Sequence, residues 1–213
     1  MGMYTKLEAI NHMLLMSGEH LVNHLEDDSG VDTSVAEHVL AESTKSYVMR
    51  GLVNNTYRKK YLPNTNGYIY LPSNTAHAEI IEAIYSADQQ QMIIASYKGI
   101  PPYLFNVTDD TANWADKGGV DGVHIRIITN LDWEDIESPM QRAIMAAAAR
   151  DYQVISQGDS AVDQFLAQKE AVYGAKGKAA DINQKRKSFF SGGDASAELA
   201  ARRNYTRNVR RRG

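Results

Sequence analysis

The chain has no cysteine, only five prolines, and no apolar run long enough to cross a bilayer. Without thiols there is no disulfide, no thiolate metal site and no cysteine nucleophile, a composition suited to a protein made in a reducing compartment. The only apolar run near the start is Met13-Leu14-Leu15-Met16, preceded by Glu8, which is far shorter than a signal-peptide core or a membrane span. These absences predict a protein made soluble in the cytoplasm, with no membrane partner. All the prolines fall between residues 63 and 139, so both ends of the chain lack the residue that most reliably breaks helices.

The charge present is divided unevenly. Residues 175–213 carry eleven Lys and Arg against three acids, a balance of +8, whereas residues 1–174 carry twelve against twenty-three, a balance of −11. The near-neutral total of −3 hides this division. Arg202, Arg203, Arg207, Arg210, Arg211 and Arg212 form its extreme, and with no acid after Glu198 they have no local counter-charge. Such a segment reads as an arm that seeks an acidic partner, nucleic acid or protein. Arginine suits bidentate contacts to carboxylate or phosphate better than lysine does. Phe189 and Phe190 just ahead of Ser191-Gly192-Gly193 read equally well as a docking anchor for the arm or as packing against the body.

The apolar pattern changes twice along the chain. Helical spacing links Leu7, Ile10 and Leu14, then Ala36, Leu40 and Tyr47. After the middle it resumes with Met140, Ile144, Ala148, Tyr152 and Ile155, then Val162, Phe165, Leu166, Lys169, Val172 and Tyr173. Thr5 with Glu8, Ser34 with Glu37, and Ser138 with Gln141 have the spacing of capping boxes, the last with Pro139 in the first turn. Gly18, Gly51 and Gly158 stand where left-handed caps would end helices. The small residues Ala146 to Ala149 would let a neighbouring helix approach closely.

Between residues 54 and 136 the runs become short, β-branched and aromatic: 56–62, 67–71, 78–86, 91–97, 103–107 and 123–129. Turn-rich pieces rather than helices separate them, which predicts a mostly antiparallel sheet. The fold class expected is α+β. A bundle of about four helices (1–53 and 137–174) would carry an inserted β domain (54–136) and an extended basic C-terminal arm (175–213). The arm would continue the fourth helix through Lys187, hinge at the glycines, and form a short basic helix from Asp194.

No set of residues for chemistry stands out. The glycines at 118, 119 and 122 lack the Lys-Ser or Lys-Thr of a phosphate loop. His20 and His24 lie four apart among acids, but Gly18 ends the preceding helix, so a solvated loop explains them more simply than a metal site. Asp132, Glu134, Asp135 and Glu137 precede a helix N-terminus, where the dipole alone favours acids. No His, Ser or Lys is placed to complete a catalytic set with them. The sequence therefore leads to no catalytic residue, cofactor or metal, and to an expectation that the protein is not an enzyme.

Two segments resemble one family. The stretch from Leu7 to Glu19 (LEAINHMLLMSGE), a short loop to the acidic turn Leu25 to Asp28, and a helix from Ser34 make up the first. The second comprises Ile125 to Ile128, Leu131 to Ile136 (LDWEDI), Ser138-Pro139, and the helix from Arg142 to Tyr152. Their order and spacing resemble the tail tubular protein A family, the head-to-tail adaptors (connectors) of short-tailed phages. That resemblance implies a virion protein made in the host cytoplasm: a homo-oligomeric ring of twelve copies between the portal protein and the tail nozzle protein. Genomic DNA would pass through it during ejection without sequence-specific binding. By the same resemblance, the β insertion would face a neighbour, the bundle would line the ring, and residues 175–213 would reach onto the portal. An alternative from the residues alone is a nucleic-acid-binding protein that uses the Arg-rich arm.

Overall fold

A computed structural model describes residues 3–25, 31–81, 94–115 and 122–191. In chain order its elements are α1 (Lys6–Met16), α2 (Val31–Val48), β1 (Thr56–Tyr61), β2 (Thr75–Ile80), β3 (Ala95–Lys98), β4 (Tyr103–Asn106) and β5 (Val123–Thr129). A 3-10 turn (Trp133–Asp135) then leads to α3 (Ser138–Ser156) and α4 (Ser160–Ser191). This is the α+β arrangement expected, with four helices flanking antiparallel strands among the described residues.

Helix α1 begins and ends as its sequence predicts. Thr5 Oγ1 accepts from the Glu8 amide at 3.2 Å while Glu8 Oε2 accepts from the Thr5 amide at 2.7 Å, so two orphan donors are satisfied reciprocally. At the other end Gly18 adopts a φ of +73°, and the Glu19 amide returns to Leu14 O at 2.9 Å. The two remaining capping boxes do not form. Ser34 lies a turn inside α2, because packing extends that helix back through the buried Thr33 to Val31. In α3 the cap position belongs to Glu137, which makes no side-chain cap bond, and Gln141 is drawn instead into the core.

Gln141 has a different task there. Its Oε1 accepts from the amides of Met3 and Tyr4 at 3.0 and 3.1 Å, and its Nε2 donates to Tyr4 O and Trp133 O at 3.1 and 2.9 Å. Trp133 Nε1 also donates to Tyr4 O, at 2.7 Å. The chain's start and the 3-10 turn are thus fastened to one buried amide of α3.

Helix α3 is the centre of the helical unit. It buries Met140, Ala143, Ile144, Met145, all of Ala146 to Ala149, and Tyr152, so it is covered on nearly every side. Its alanines provide the close approach that α1, α2 and α4 need to pack against it together. These contacts join Ile10, Met13, Leu14, Leu40, Val48, Trp133 and Ile136 in one core.

Helix α4 has 32 residues and runs without a break past residue 174, so the segment read as an arm begins as helix, in line with an extension through Lys187. The crossing on α3 falls at Gly177. A Cβ there would lie 3.1 Å from Ala143 Cβ and 3.2 Å from Pro139 O, tighter than ordinary contact, so glycine lets the two helices close. Farther on, Asp181 Oδ1 accepts from the Val53 amide at 2.8 Å, and Arg150 of α3 binds Asp163 and Glu170 of α4 at 2.7 and 3.1 Å.

Gly174 differs from Gly177: no atom lies within 4 Å of the Cβ it lacks. Gly174→Ala is therefore expected to stabilise the protein by about 0.5–1 kcal/mol through helix propensity alone. Gly177→Ala should lose that gain to the contact with Ala143. Calorimetric midpoints of the two variants check the contrast, and equal shifts would contradict it.

The strands form a three-stranded antiparallel sheet of order β1-β5-β2 and a separate β3-β4 hairpin. Strand β5 alternates from Val123 to Ile127: Val123, Ile125 and Ile127 are buried, while His124 and Arg126 turn outward, and Ile128 and Thr129 at its end are buried as well. The inward residues meet Ile69, Leu71, Ala78, Leu104 and the fully buried Trp114 in a second core, distinct from that of the helices. Strand limits differ from the sequence expectation in three places. Residues 67–71 meet the hairpin at an isolated bridge between Tyr70 and Tyr103, with Leu104 N donating to Ile69 O and Leu71 N to Pro102 O, each at 2.9 Å, so they are extended but not a named strand. The strand expected at 78–86 lies at Thr75–Ile80, and that expected at 91–97 is Ala95–Lys98. The remainder of both expected runs, apart from Ile81 and Ile94, lies outside the described residues.

Asn55 joins the two units. It is completely buried, with Oδ1 accepting from the Leu52 amide at 2.7 Å and Nδ2 donating to Val48 O and Thr129 O at 3.1 and 2.8 Å. One side chain thereby holds the end of α2 against the end of β5.

Candidate partner-binding site

Of the residues named from the sequence as a docking arm, Phe189 and Phe190 fall in the last turn of α4. Arg202, Arg203, Arg207, Arg210, Arg211 and Arg212 lie outside the described residues.

The body itself offers surfaces that sequence reading did not single out. On the outer face of the three-stranded sheet, the antiparallel register sets Arg58 beside Arg126 and Lys60 beside His124. Arg126 in turn faces Glu79 of β2, which it binds at 2.7 Å, and His77 stands two residues from Glu79. The Arg126 hydrogen bond is the main cause holding the Glu79 carboxyl below its ordinary range. This face is basic within a body whose net charge is acidic. The signal was available in the alternation of Val123 to Ile127, where every second residue is apolar, but the pairing with β1 was not.

The hairpin carries a second exposed feature. Its turn, from Gly99 to Pro102, presents Ile100 entirely to solvent and contains a cis Ile100–Pro101 peptide. At the hairpin's flank the rings of Tyr68, Tyr70 and Tyr103 cluster at centroid separations of 5.8 to 6.5 Å. Lys98 lies over the Phe105 ring at 3.2 Å. On the helical side Ile155, Phe165 and Val172, expected from their spacing to be core, are more than half exposed. Helix α4 meets α3 through Leu166 and Gly177 instead, which rotates Phe165 and Val172 outward. They and Ile155 leave apolar surface on the outside of the bundle.

The acids Asp132, Glu134 and Asp135 are exposed on and beside the 3-10 turn, and Glu137 stands at the N-cap position of α3 without a side-chain cap bond. Their place is structural: Asp135 O accepts from Asn54 Nδ2 at 3.2 Å, tying the turn to the loop before β1. His20 and His24 follow α1 in the loop whose position is set by Asn11, which exchanges hydrogen bonds of 2.9 and 2.8 Å with Val22. Among the described residues no group of three or more His, Asp or Glu side chains is placed to hold a metal ion. No helix among them is long and apolar enough to cross a membrane.

Two cores held together at Asn55 carry charged and apolar side chains on their outer faces, the features of a structural module. The family model for tail tubular proteins matches residues 7–187, and the chain belongs to that family. It is a structural protein of the bacteriophage tail and interacts with other tail components. No curated protein sequence matches the chain. The family match ends within α4, ahead of the arginine cluster.

Proposed function

We propose that the protein is the adaptor ring between portal and tail nozzle, that it lacks enzymatic activity, and that its Arg-rich C-terminal segment docks it to the portal. The observation that carries this reading is the division of the chain. The family match covers the two folded units as far as residue 187 in α4 and stops before the cluster from Arg202 to Arg212. A shared body followed by a strongly basic extension fits a common ring scaffold with its own docking segment. The body from 1 to 174, at −11, would repel DNA from a channel wall, while the extension would grip an acidic portal surface through salt-screened attraction. Twelve copies per ring and passage of DNA without sequence preference belong to the same proposal.

The test is co-sedimentation of the full chain with the portal ring of the same phage. Co-migration near one copy per portal subunit is expected, and deletion of 192–213 should abolish it while leaving the circular dichroism spectrum of the body unchanged. A truncated chain that still docked at full strength would refute the arm. The arginine cluster and the basic sheet face also favour a second reading, phosphate binding to nucleic acid. That reading requires affinity to fall with log salt at a slope of about 0.9 per phosphate contact.

A further inference from the structure

A cavity of about 200 Å³ opens where α1, α3 and α4 meet. Around it stand His12 of α1, Arg142 of α3, Lys169 and Tyr173 of α4, and Tyr4 from the segment before α1. Arg142 and Lys169 have no carboxylate partner among the described residues, and no Asp or Glu lines the cavity. The contacts of these cations are weak substitutes for an ion pair: Arg142 Nε donates to Tyr4 OH at 2.7 Å, and Lys169 Nζ lies 3.5 Å from Met16 Sδ and 4.5 Å from the Phe165 ring centre. His12 Nδ1 is buried beside them without a hydrogen-bond partner. Elsewhere in the bundle cations at helix crossings are paired, as Arg150 is with Asp163 and Glu170.

We propose that this cavity is a binding site for a single oxyanion, carboxylate or phosphate, held by Arg142 and Lys169 with His12 at its inner wall. The guanidinium keeps two NH2 groups beyond the Nε already engaged, and the ammonium supplies up to three donors, so a planar or tetrahedral oxyanion can be held by several charge-assisted bonds. The volume is below the several hundred Å³ of ordinary small-molecule pockets, which favours one acidic group over a nucleotide. Burial, reinforced by the Lys169 charge, lowers the His12 pKa, and a bound anion would offset both effects. An anion there would also bind residues of three separate helices to one another.

Isothermal titration of the full chain with inorganic phosphate, and separately with acetate, at one ionic strength set with NaCl, tests the site. Saturable binding of at least one anion is expected, with affinity at least tenfold weaker in an Arg142→Gln, Lys169→Gln double variant and unchanged in Lys98→Gln on the distant hairpin. If the double variant does not fold, Lys169→Met, which preserves the apolar stem, is expected to weaken binding in the same direction. Binding of acetate would point to a carboxylate side chain of a neighbouring protein as the source, and binding of phosphate alone to the free ion. Absence of saturable binding to either anion, or wild-type affinity in the folded variants, would overturn the proposal.

Discussion

Trp114→Ala is expected to destabilise the protein by about 4 kcal/mol, in the range found when a large aromatic is removed from a packed core. The ring has no solvent exposure and sits among Ile69, Leu104, Ile125 and Ile127, where sheet and hairpin meet. Its Nε1 donates to Leu104 O at 2.9 Å, so truncation also leaves a buried carbonyl of β4 without its partner. Among the described residues the cluster has eight buried side chains drawn from both sheet and hairpin, so collapse around the cavity would move a strand. Urea unfolding followed by circular dichroism measures the loss. Trp114→Phe should retain more than half of the stability difference, since most of the volume remains although the N–H and part of the ring are lost. A Trp114→Ala variant within 1 kcal/mol of the parent would mean that the ring does not hold the β core together.

Asn55→Ala should cost about 3 kcal/mol, and its effect should have a distinct form. The side chain makes three buried hydrogen bonds, to Leu52 N, Val48 O and Thr129 O. Each contributes roughly 1 kcal/mol net, and each buried group left unpaired adds a desolvation penalty. Because Val48 and Leu52 belong to the helical core while Thr129 ends β5, the loss falls on the joint between two cores rather than within either. The two tryptophans separate the outcomes: Trp133 reports on the helical core and Trp114 on the β core. In each single-tryptophan chain, Trp114→Phe or Trp133→Phe, fluorescence and circular dichroism should give coincident urea transitions. With Asn55→Ala added, the Trp114 fluorescence transition should move to lower urea ahead of circular dichroism on the same chain, and the Trp133 transition should move less. Transitions that remained coincident would place the coupling elsewhere, at Asp181 and Val53 for example.

The helical frame was legible because its signals are local. Thr5 and Glu8 are three residues apart, Gly18 follows the last buried turn, and Ala146 to Ala149 identify a helix crowded by neighbours. The β-branched run at 123–129 likewise revealed the strand that the structure places there. The polar clamps were not legible. Gln141 fits a capping box on paper, but its partners at Met3 and Tyr4 lie 138 and 137 residues away, and nothing local distinguishes a buried glutamine from a capping one. Nor does anything local mark Asn55, whose partner Thr129 lies 74 residues away. The outward rotation of Phe165 and Val172 followed from Gly177, which serves as a contact point on α3 rather than as a breaker. The cavity needed His12, Arg142 and Lys169 from three helices, a juxtaposition only packing produces.

Among the described residues the strand order β1-β5-β2 makes β1 an outer strand, and it carries Arg58, Lys59 and Lys60 in succession. An open strand edge is a template on which another chain can add, and a row of like charges is a known deterrent. Two such edges brought together would set three cations of one copy against three of the next. As the local concentration of this protein rises during tail assembly, that repulsion would discourage edge-to-edge polymerisation into fibres and leave the chain free to associate through other faces.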